Sequence, residues 1–147
     1  MQSLKVHLLD SRASLPEKGT EGSACYDLRV ILDEPFLLKA HTFHLFHTGL
    51  AIELPSHDYV AMLYSRSGMG VKHGITLTNS VGVIDSDYRG EVCVSLINQS
   101  DEDYLVQPGD RIAQLMISPV CSLPIEVVSQ LTNSDRGQGG FGSTGKD

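Results

Sequence analysis

The chain has 147 residues, with 18 acidic and 11 basic side chains and a formal net charge of -7. This length fits one domain, and the acidic balance argues against stable nucleic-acid binding, because proteins that bind the phosphate backbone usually present a basic face. The three cysteines lack paired spacing, which predicts free thiols. We expect a cytoplasmic protein with no membrane contact, because the sequence shows no apolar run of bilayer length and no N-terminal signal segment.

Short stretches rich in β-branched and aromatic residues recur roughly every ten residues, separated by turns that contain Gly, Pro, Ser or Asp. Helical periodicity is almost absent. The pattern therefore predicts an all-β fold of roughly ten to twelve short strands, as a sandwich, jelly roll or barrel. The candidate strands are residues 4–9, 25–30, 35–38, 42–46, 49–54, 59–63, 75–78, 81–84, 92–97, 111–117 and 125–128.

Residues 82–91 concentrate charge in the middle of this pattern. Three carboxylates, an arginine and a tyrosine stand near two glycines, with β-branched residues on both sides. This pattern predicts a strand, a tight turn and a second strand, which together form a hairpin with a charged tip. Considered alone, such a tip is more often a solvated loop than a functional site.

Three histidines, His41, His44 and His47, have a spacing that invites a metal site. The residues between them favour a strand, in which residue 44 faces away from residues 41 and 47. Packing or surface positions are therefore favoured over a zinc site for these histidines.

Residues 64–74 predict a loop that leads into the one short helix of the chain, closed by Gly74. Backbone N–H groups at the helix start, with Arg66 and Ser67, would suit an anion, although a plain serine N-cap explains the pattern equally well. Residues 107–110 fit a type II turn before a strand that Gln114 interrupts, where a glutamine is more often a solvent-facing residue than a ligand.

From residue 132 the composition changes to glycine and small polar residues, with Phe141 as the single apolar side chain. We expect a β-domain over residues 1–131, followed by a flexible arm over residues 132–147. The arm could be inert, or it could close over a ligand by stacking Phe141 on a ring and wrapping phosphates with amides and hydroxyls.

Five polar stretches occur in order along the chain: residues 24–28, 65–68, 79–90, 109–115 and 136–145. Together they resemble the five motifs of the homotrimeric dUTPase family, the deoxyuridine triphosphate nucleotidohydrolases, and the resemblance covers essentially the whole chain. It implies a distorted jelly-roll or β-barrel protomer, a homotrimer with active sites shared between subunits, and Mg²⁺ as cofactor. The implied reaction converts dUTP to dUMP and pyrophosphate, which limits uracil in DNA and supplies the thymidylate precursor.

The resemblance also implies roles for the matched side chains. Asp85 would orient and help deprotonate a water for in-line attack on the α-phosphorus, and Asp27 would support hydrated magnesium on the triphosphate. Tyr88 would pack against the deoxyribose and exclude ribonucleotides. The further implied substrate contacts are Asn79, Gly82, Val83 and Ile84 at the uracil, Arg66, Ser67, Gly68, Gln114 and Arg136 at the phosphates, and Phe141, Gly142, Ser143 and Thr144 in the closing arm.

Two positions depart from the family pattern, which usually has proline where Ser65 stands and a small residue at Cys25. Ser65 is expected to loosen the start of its loop, and Cys25 to add bulk near Asp27. A dCTP deaminase, which shares this fold and parts of the motifs, and a non-catalytic nucleotide sensor stay open as alternatives. The run 85–88 and the complete arm favour the hydrolase over the deaminase, and the intact Asp85 argues against a sensor.

Overall fold

A computed structural model describes residues 3–140. This part of the chain contains ten strands and one short helix. They are β1 Lys5–Leu8, β2 Tyr26–Arg29, β3 Phe36–Leu38, β4 Phe43–Glu53, β5 Tyr59–Tyr64, α1 Ser67–His73, β6 Ile75–Leu77, β7 Gly82–Ile84, β8 Glu91–Asn98, β9 Tyr104–Val106 and β10 Arg111–Pro119.

The strands form two four-stranded antiparallel sheets and one small pair. The first sheet has the order β1-β4-β8-β6, the second has the order β2-β10-β5-β7, and β3 pairs with β9. Each four-stranded sheet ends in strands with a single partner, so the described strands do not close into a barrel. The prediction of an all-β jelly roll with one short helix is confirmed. The alternative prediction of a closed barrel is not.

One hydrophobic core joins the two sheets. Strand β8 shows how it forms, because every second side chain of that strand is buried, beginning with Val92. This period of two is the consequence of the strand pleat, which sends successive side chains to opposite faces. The largest fully buried apolar side chains are Phe46, Leu28, Leu38, Leu50, Ile75, Leu96 and Ile112, together with Leu115.

Three differences from the predicted strands concern pairing. The candidates 42–46 and 49–54 form one long strand, β4, whose register shifts between His47 and Ala51, next to Gly49 at φ 68°. Strand β9 was not predicted, because its three residues follow a polar turn and carry little pattern. The segment 82–91 is not a hairpin, because β7 pairs with β5 in one sheet and β8 with β4 and β6 in the other.

The predicted strand 125–128 is wrong within this chain. No strand follows β10 among the described residues, and the side chains of Ile125 and Val127 are 96% and 95% exposed. An alternating apolar pattern needs a partner strand for its backbone and a facing layer for its side chains, and the described part of this chain supplies neither.

No helix among residues 3–140 is long and apolar enough to cross a membrane. The cysteines Cys25, Cys93 and Cys121 are all free thiols, as predicted.

Candidate active site

A cavity of about 410 Å³ lies where the segment 79–91 passes from one sheet to the other. Six of the predicted substrate and catalytic residues line it: Asn79, Gly82, Val83, Ile84, Asp85 and Tyr88. Leu45, Leu63, Glu91, Val92 and Cys93 complete its wall. One cavity therefore collects every matched residue of the third family motif.

Local backbone chemistry shapes the first half of this cavity. Ser80 takes a left-handed conformation at φ 63°, and the Val81 N–H donates to the Asn79 carbonyl at 2.7 Å. This tight turn carries the chain from β6 into β7. Gly82 then lies opposite Leu63, where an added Cβ would stand 2.9 Å from the Leu63 Cβ. Glycine is needed there because it lets β7 approach β5 closely.

The second half of the cavity is a turn with an exposed acid at its start. The Tyr88 N–H donates to the Asp85 carbonyl at 3.2 Å and closes the turn. Among residues 3–140, no hydrogen bond or ion pair engages the exposed Asp85 carboxylate. The Tyr88 hydroxyl donates to the Glu91 carbonyl at 2.9 Å and lies over Gly90, where a Cβ would meet that hydroxyl at 2.4 Å.

A second cluster surrounds Asp27 on β2, in the same sheet as β7. The Arg66 Nε donates to one carboxylate oxygen of Asp27 at 3.0 Å, and an Arg111 nitrogen donates to the other at 3.1 Å. The Asp27 side chain is 18% exposed, so both ion pairs are partly shielded from solvent. The cluster therefore joins one carboxylate to two guanidinium groups.

Strand register places Gln114 in the same cluster. On β10, Gln114 lies directly opposite Asp27 of β2 on one side and Tyr64 of β5 on the other. Directly opposite residues of antiparallel strands project to the same face, so the Gln114 side chain points to the side of Asp27. The Gln114 amide donates to the Ser65 carbonyl at 2.8 Å and so fixes the loop that carries Arg66.

The loop before α1 differs in two ways from the sequence prediction. Ser65 does not loosen it, because its hydroxyl contacts the Thr76 hydroxyl at 2.7 Å and accepts the Leu77 N–H at 3.0 Å. The N-cap is Arg66 in an extended conformation with no side-chain capping bond, so the serine N-cap interpretation is wrong. Ser67 and Gly68 open the helix and are exposed.

The helix ends as predicted. Gly74 has φ 66°, and its N–H donates to the Gly70 carbonyl at 3.0 Å. An αL glycine is the usual way to satisfy the last helical carbonyls.

The two clusters stand at opposite edges of the sheet β2-β10-β5-β7. Asp27 lies on β2 and the cavity on β7, which are three strand spacings apart, or ~14 Å at ~4.8 Å per spacing. Among residues 3–140, none of Asp27, Arg66, Arg111 and Gln114 lines the cavity.

The arm residues are only partly described. Arg136 is exposed in a turn closed by the Gly139 N–H, which donates to the Arg136 carbonyl at 3.0 Å. Among the residues described, its side chain joins neither cluster. The predicted contacts Phe141, Gly142, Ser143 and Thr144 lie outside the described residues.

Comparison with known proteins identifies the family. The model of the dUTPase family matches residues 11–145. The chain belongs to the dUTPase family. The deoxyuridine 5'-triphosphate nucleotidohydrolase of Janthinobacterium sp. (strain Marseille) is 49% identical to it, with 99% of each chain covered. The enzyme of that name from Ralstonia nicotianae is 47% identical over 97% of this chain and 98% of the relative.

Solved structures show the same fold. The dUTPase of Staphylococcus bacteriophage 80alpha with dUPNHPP superposes with a TM-score of 0.89 at 27% identity, with 99% of each chain covered. A further structure of the 80alpha dUTPase gives a TM-score of 0.79 at 25% identity over 89% of this chain and 99% of that one.

The structure also adds residues that had no predicted role. Arg111 lies within the fourth dUTPase motif, so the sequence could have indicated that it lies close to Asp27. Glu91 binds His47 and the Gly49 N–H on β4. Cys93 lies opposite His47 and had no sequence signal.

Proposed function

We propose that the chain hydrolyses dUTP to dUMP and pyrophosphate by attack of an oriented water on the α-phosphorus. The observation that carries the proposal is the cavity that collects Asn79, the β7 residues, Asp85 and Tyr88. The two curated relatives above are named for the same reaction. The reaction supplies dUMP for thymidylate synthesis and limits uracil in DNA.

Base recognition would use the exposed edge of β7. This strand pairs only with β5, so the backbone groups on its other side have no strand partner in the described chain. Along Gly82, Val83 and Ile84, every second residue directs its N–H and C=O away from β5, and these groups, with the Asn79 amide, can present donors and acceptors to a uracil edge. Cytosine would set a donor against a donor and leave buried groups unpaired.

Catalysis would rest on Asp85. A carboxylate that no described side chain engages can accept a hydrogen bond from water and hold it in line with the scissile bond. Tyr88 would lie against the deoxyribose, where an added 2'-hydroxyl would clash or lose its hydration.

The phosphate groups would meet the second cluster and the helix start. Arg66, Ser67, Gly68 and Gln114 are proposed contacts, and Arg66 and Arg111 bring positive charge to a chain whose net charge is -7. Guanidinium groups suit phosphates because their planar array of donors matches phosphate oxygens.

The donor set around Asp27 fits magnesium that arrives with the triphosphate. Mg²⁺ typically keeps several waters and uses one or two carboxylates together with substrate phosphates. Asp27 is a single, partly exposed carboxylate of this kind and would hold the ion through its waters. When bound, the ion would withdraw negative charge from the phosphate oxygens.

A homotrimer with shared sites would bring the two clusters together. Among residues 3–140, neither Arg66 nor Arg111 lines the cavity that holds Asp85, so a second subunit would supply them. The residues after β10 support this assembly, because they expose apolar side chains that a neighbouring chain can cover. These are Val120, Leu123, Ile125, Val127, Val128 and Leu131.

The arm would complete the site. We propose that residues 132–147 close over bound dUTP, with Arg136 at the γ-phosphate, Phe141 on the uracil, and Gly142, Ser143 and Thr144 along the phosphates. Closure would exclude bulk water from the reacting groups. The three free thiols support a cytoplasmic, reducing location.

Pyrophosphate release by the purified full-length chain with dUTP and Mg²⁺ tests the proposal. We expect dUMP and pyrophosphate in equal amounts. Binding of dUTP without any product would support a nucleotide sensor instead, and ammonia release from dCTP would support a deaminase.

A further inference from the structure

Three side chains with metal-binding atoms meet where β4 lies beside β8. They are His47, Glu91 and Cys93, and one ligand atom from each lies within 4.8 Å of the others. The His47 Nδ1 is 2.8 Å from a Glu91 carboxylate oxygen and 3.7 Å from the Cys93 Sγ.

Strand register explains how this group forms. His47 and Cys93 are directly opposite partners in the β4–β8 pair, so their side chains share one face. Glu91 is two residues from Cys93 on the same strand and therefore projects to that face as well. All three positions are thus set by the pairing of β4 with β8, beside the register shift between His47 and Ala51.

The Glu91 carboxylate is held in place by the backbone. Its other oxygen accepts the Gly49 N–H at 2.7 Å, which leaves the first oxygen facing His47. Gly49 is closely packed, because a Cβ there would stand 2.9 Å from the Ala13 Cβ and 3.1 Å from the Asp10 Cβ. Such outer hydrogen bonds typically orient metal ligands and strengthen binding.

The His47–Cys93 spacing suits a tetrahedral ion of intermediate softness, and Glu91 would exchange its hydrogen bond with His47 for the ion. With Zn–N of about 2.0 Å and Zn–S of about 2.3 Å, a nitrogen and a sulfur ligand of one tetrahedral zinc lie about 3.5 Å apart. The observed distance between the His47 and Cys93 ligand atoms is 3.7 Å. The His47 and Glu91 side chains are 57% and 25% exposed, so an ion can reach the site from solvent.

We propose that His47, Glu91 and Cys93 form a binding site for Zn²⁺ or a divalent ion of similar softness. Three protein ligands leave one position for water, and the mixed nitrogen, sulfur and oxygen set separates this site from the oxygen-preferring Mg²⁺. Because Glu91 and Cys93 also line the cavity of about 410 Å³, the ion would stand at the edge of that cavity. The site is inferred from these side chains alone and does not depend on dUTP hydrolysis.

Titration of the reduced, full-length protein with Co²⁺ provides the first test. We expect one Co²⁺ per chain and an absorption band from thiolate-to-cobalt charge transfer. The band should disappear in Cys93→Ser and persist in Cys121→Ser, whose thiol is exposed and remote from the cluster. A wild-type spectrum without the band, or a band kept in Cys93→Ser, overturns the proposal.

Zinc affinity, measured by competition with a chromophoric chelator, tests the other two ligands. His47→Ala and Glu91→Gln should each weaken binding by about tenfold or more, since loss of even an outer-shell partner typically costs about 10- to 100-fold. His41→Ala is the matched control, because His41 lies 2.9 Å from Asp101 and outside the cluster. Equal losses in His41→Ala and His47→Ala would contradict the assignment.

A third measurement uses the wild-type chain and so does not depend on the folding of any variant. Zn²⁺ should protect Cys93, but not Cys121, from alkylation by iodoacetamide, with each site quantified by mass spectrometry. Equal alkylation of Cys93 with and without Zn²⁺ would overturn the proposal even if every variant failed to fold.

Discussion

The Arg66 Nε donates a hydrogen bond to the Asp27 carboxylate at 3.0 Å and so connects the loop before α1 to strand β2. Arg111 holds the second carboxylate oxygen, and its own carbonyl accepts a bond from Arg66 at 3.3 Å. The three residues come from three segments far apart in sequence. One carboxylate therefore organises two cations that the proposed mechanism places beside phosphates.

Replacement of Asp27 by asparagine tests this organisation. We expect Asp27→Asn to lower the free energy of unfolding by about 1.5–3 kcal/mol, because a hydrogen bond to a charged group contributes that much. It should also raise the Mg²⁺ concentration needed for half-maximal hydrolysis by about tenfold. Denaturant unfolding and Mg²⁺ titration of activity provide the readouts. Glu34→Gln is the control, because Glu34 is exposed; a similar shift there would show a general charge effect.

Asp85 carries the proposed chemistry, and the adjacent turn offers a matched control. We expect Asp85→Asn to reduce kcat by about 10²- to 10⁴-fold, the usual contribution of positioned acid–base groups, with little change in dUTP affinity. Asp87→Asn alters an exposed acid in the same turn and should keep kcat near the wild-type value. Steady-state kinetics and calorimetric binding separate the two effects. Equal loss in both variants would contradict a specific role for Asp85.

Gly90 lies directly against the ring of Tyr88, the proposed sugar contact. An added methyl would meet the Tyr88 hydroxyl at 2.4 Å and its ring carbon at 2.6 Å, so the ring must move in Gly90→Ala. Because the clash is with the outer end of an exposed side chain, we expect little loss of stability. The preference for dUTP over UTP in kcat/KM should fall by about tenfold. Gly22→Ala, where a methyl meets nothing within 4 Å, should leave this preference unchanged.

Sequence patterns predicted the elements of this fold better than their pairing. The alternation along β8 and the αL cap at Gly74 are local consequences of chain geometry, and the structure confirms both. The segment 82–91 was predicted as a hairpin because strand, turn and strand look alike whether the two strands pair with each other or enter different sheets. Pairing depends on residues distant in sequence, which no local pattern contains.

The same distinction applies to the sites. The predicted residues Asn79, Gly82–Asp85 and Tyr88 come from one short stretch, so one motif named them, and all of them line the cavity. The group of His47, Glu91 and Cys93 joins positions more than 40 residues apart through strand register. The histidine spacing grouped His47 with His41 and His44, whereas His44 packs against Phe36 with ring centroids 4.0 Å apart.

The exposed segment after β10 predicts the assembly. We expect the wild-type protein to be a trimer by light scattering coupled to size-exclusion chromatography. The double substitution Ile125→Lys with Val127→Lys should give monomers, because two charges would enter an apolar interface. Val71→Lys, at an 89% exposed position on α1, should remain trimeric. A monomeric wild-type protein with full activity would contradict the shared site.

The product profile with dUTP, dCTP, dTTP and UTP, measured in parallel with Mg²⁺, tests the central claim most directly. We predict that only dUTP is turned over rapidly, to dUMP and pyrophosphate. The selecting features are the exposed backbone edge of β7, the cavity beside it and the Tyr88 ring. Comparable turnover of UTP or dCTP, or no pyrophosphate from dUTP, would contradict the account.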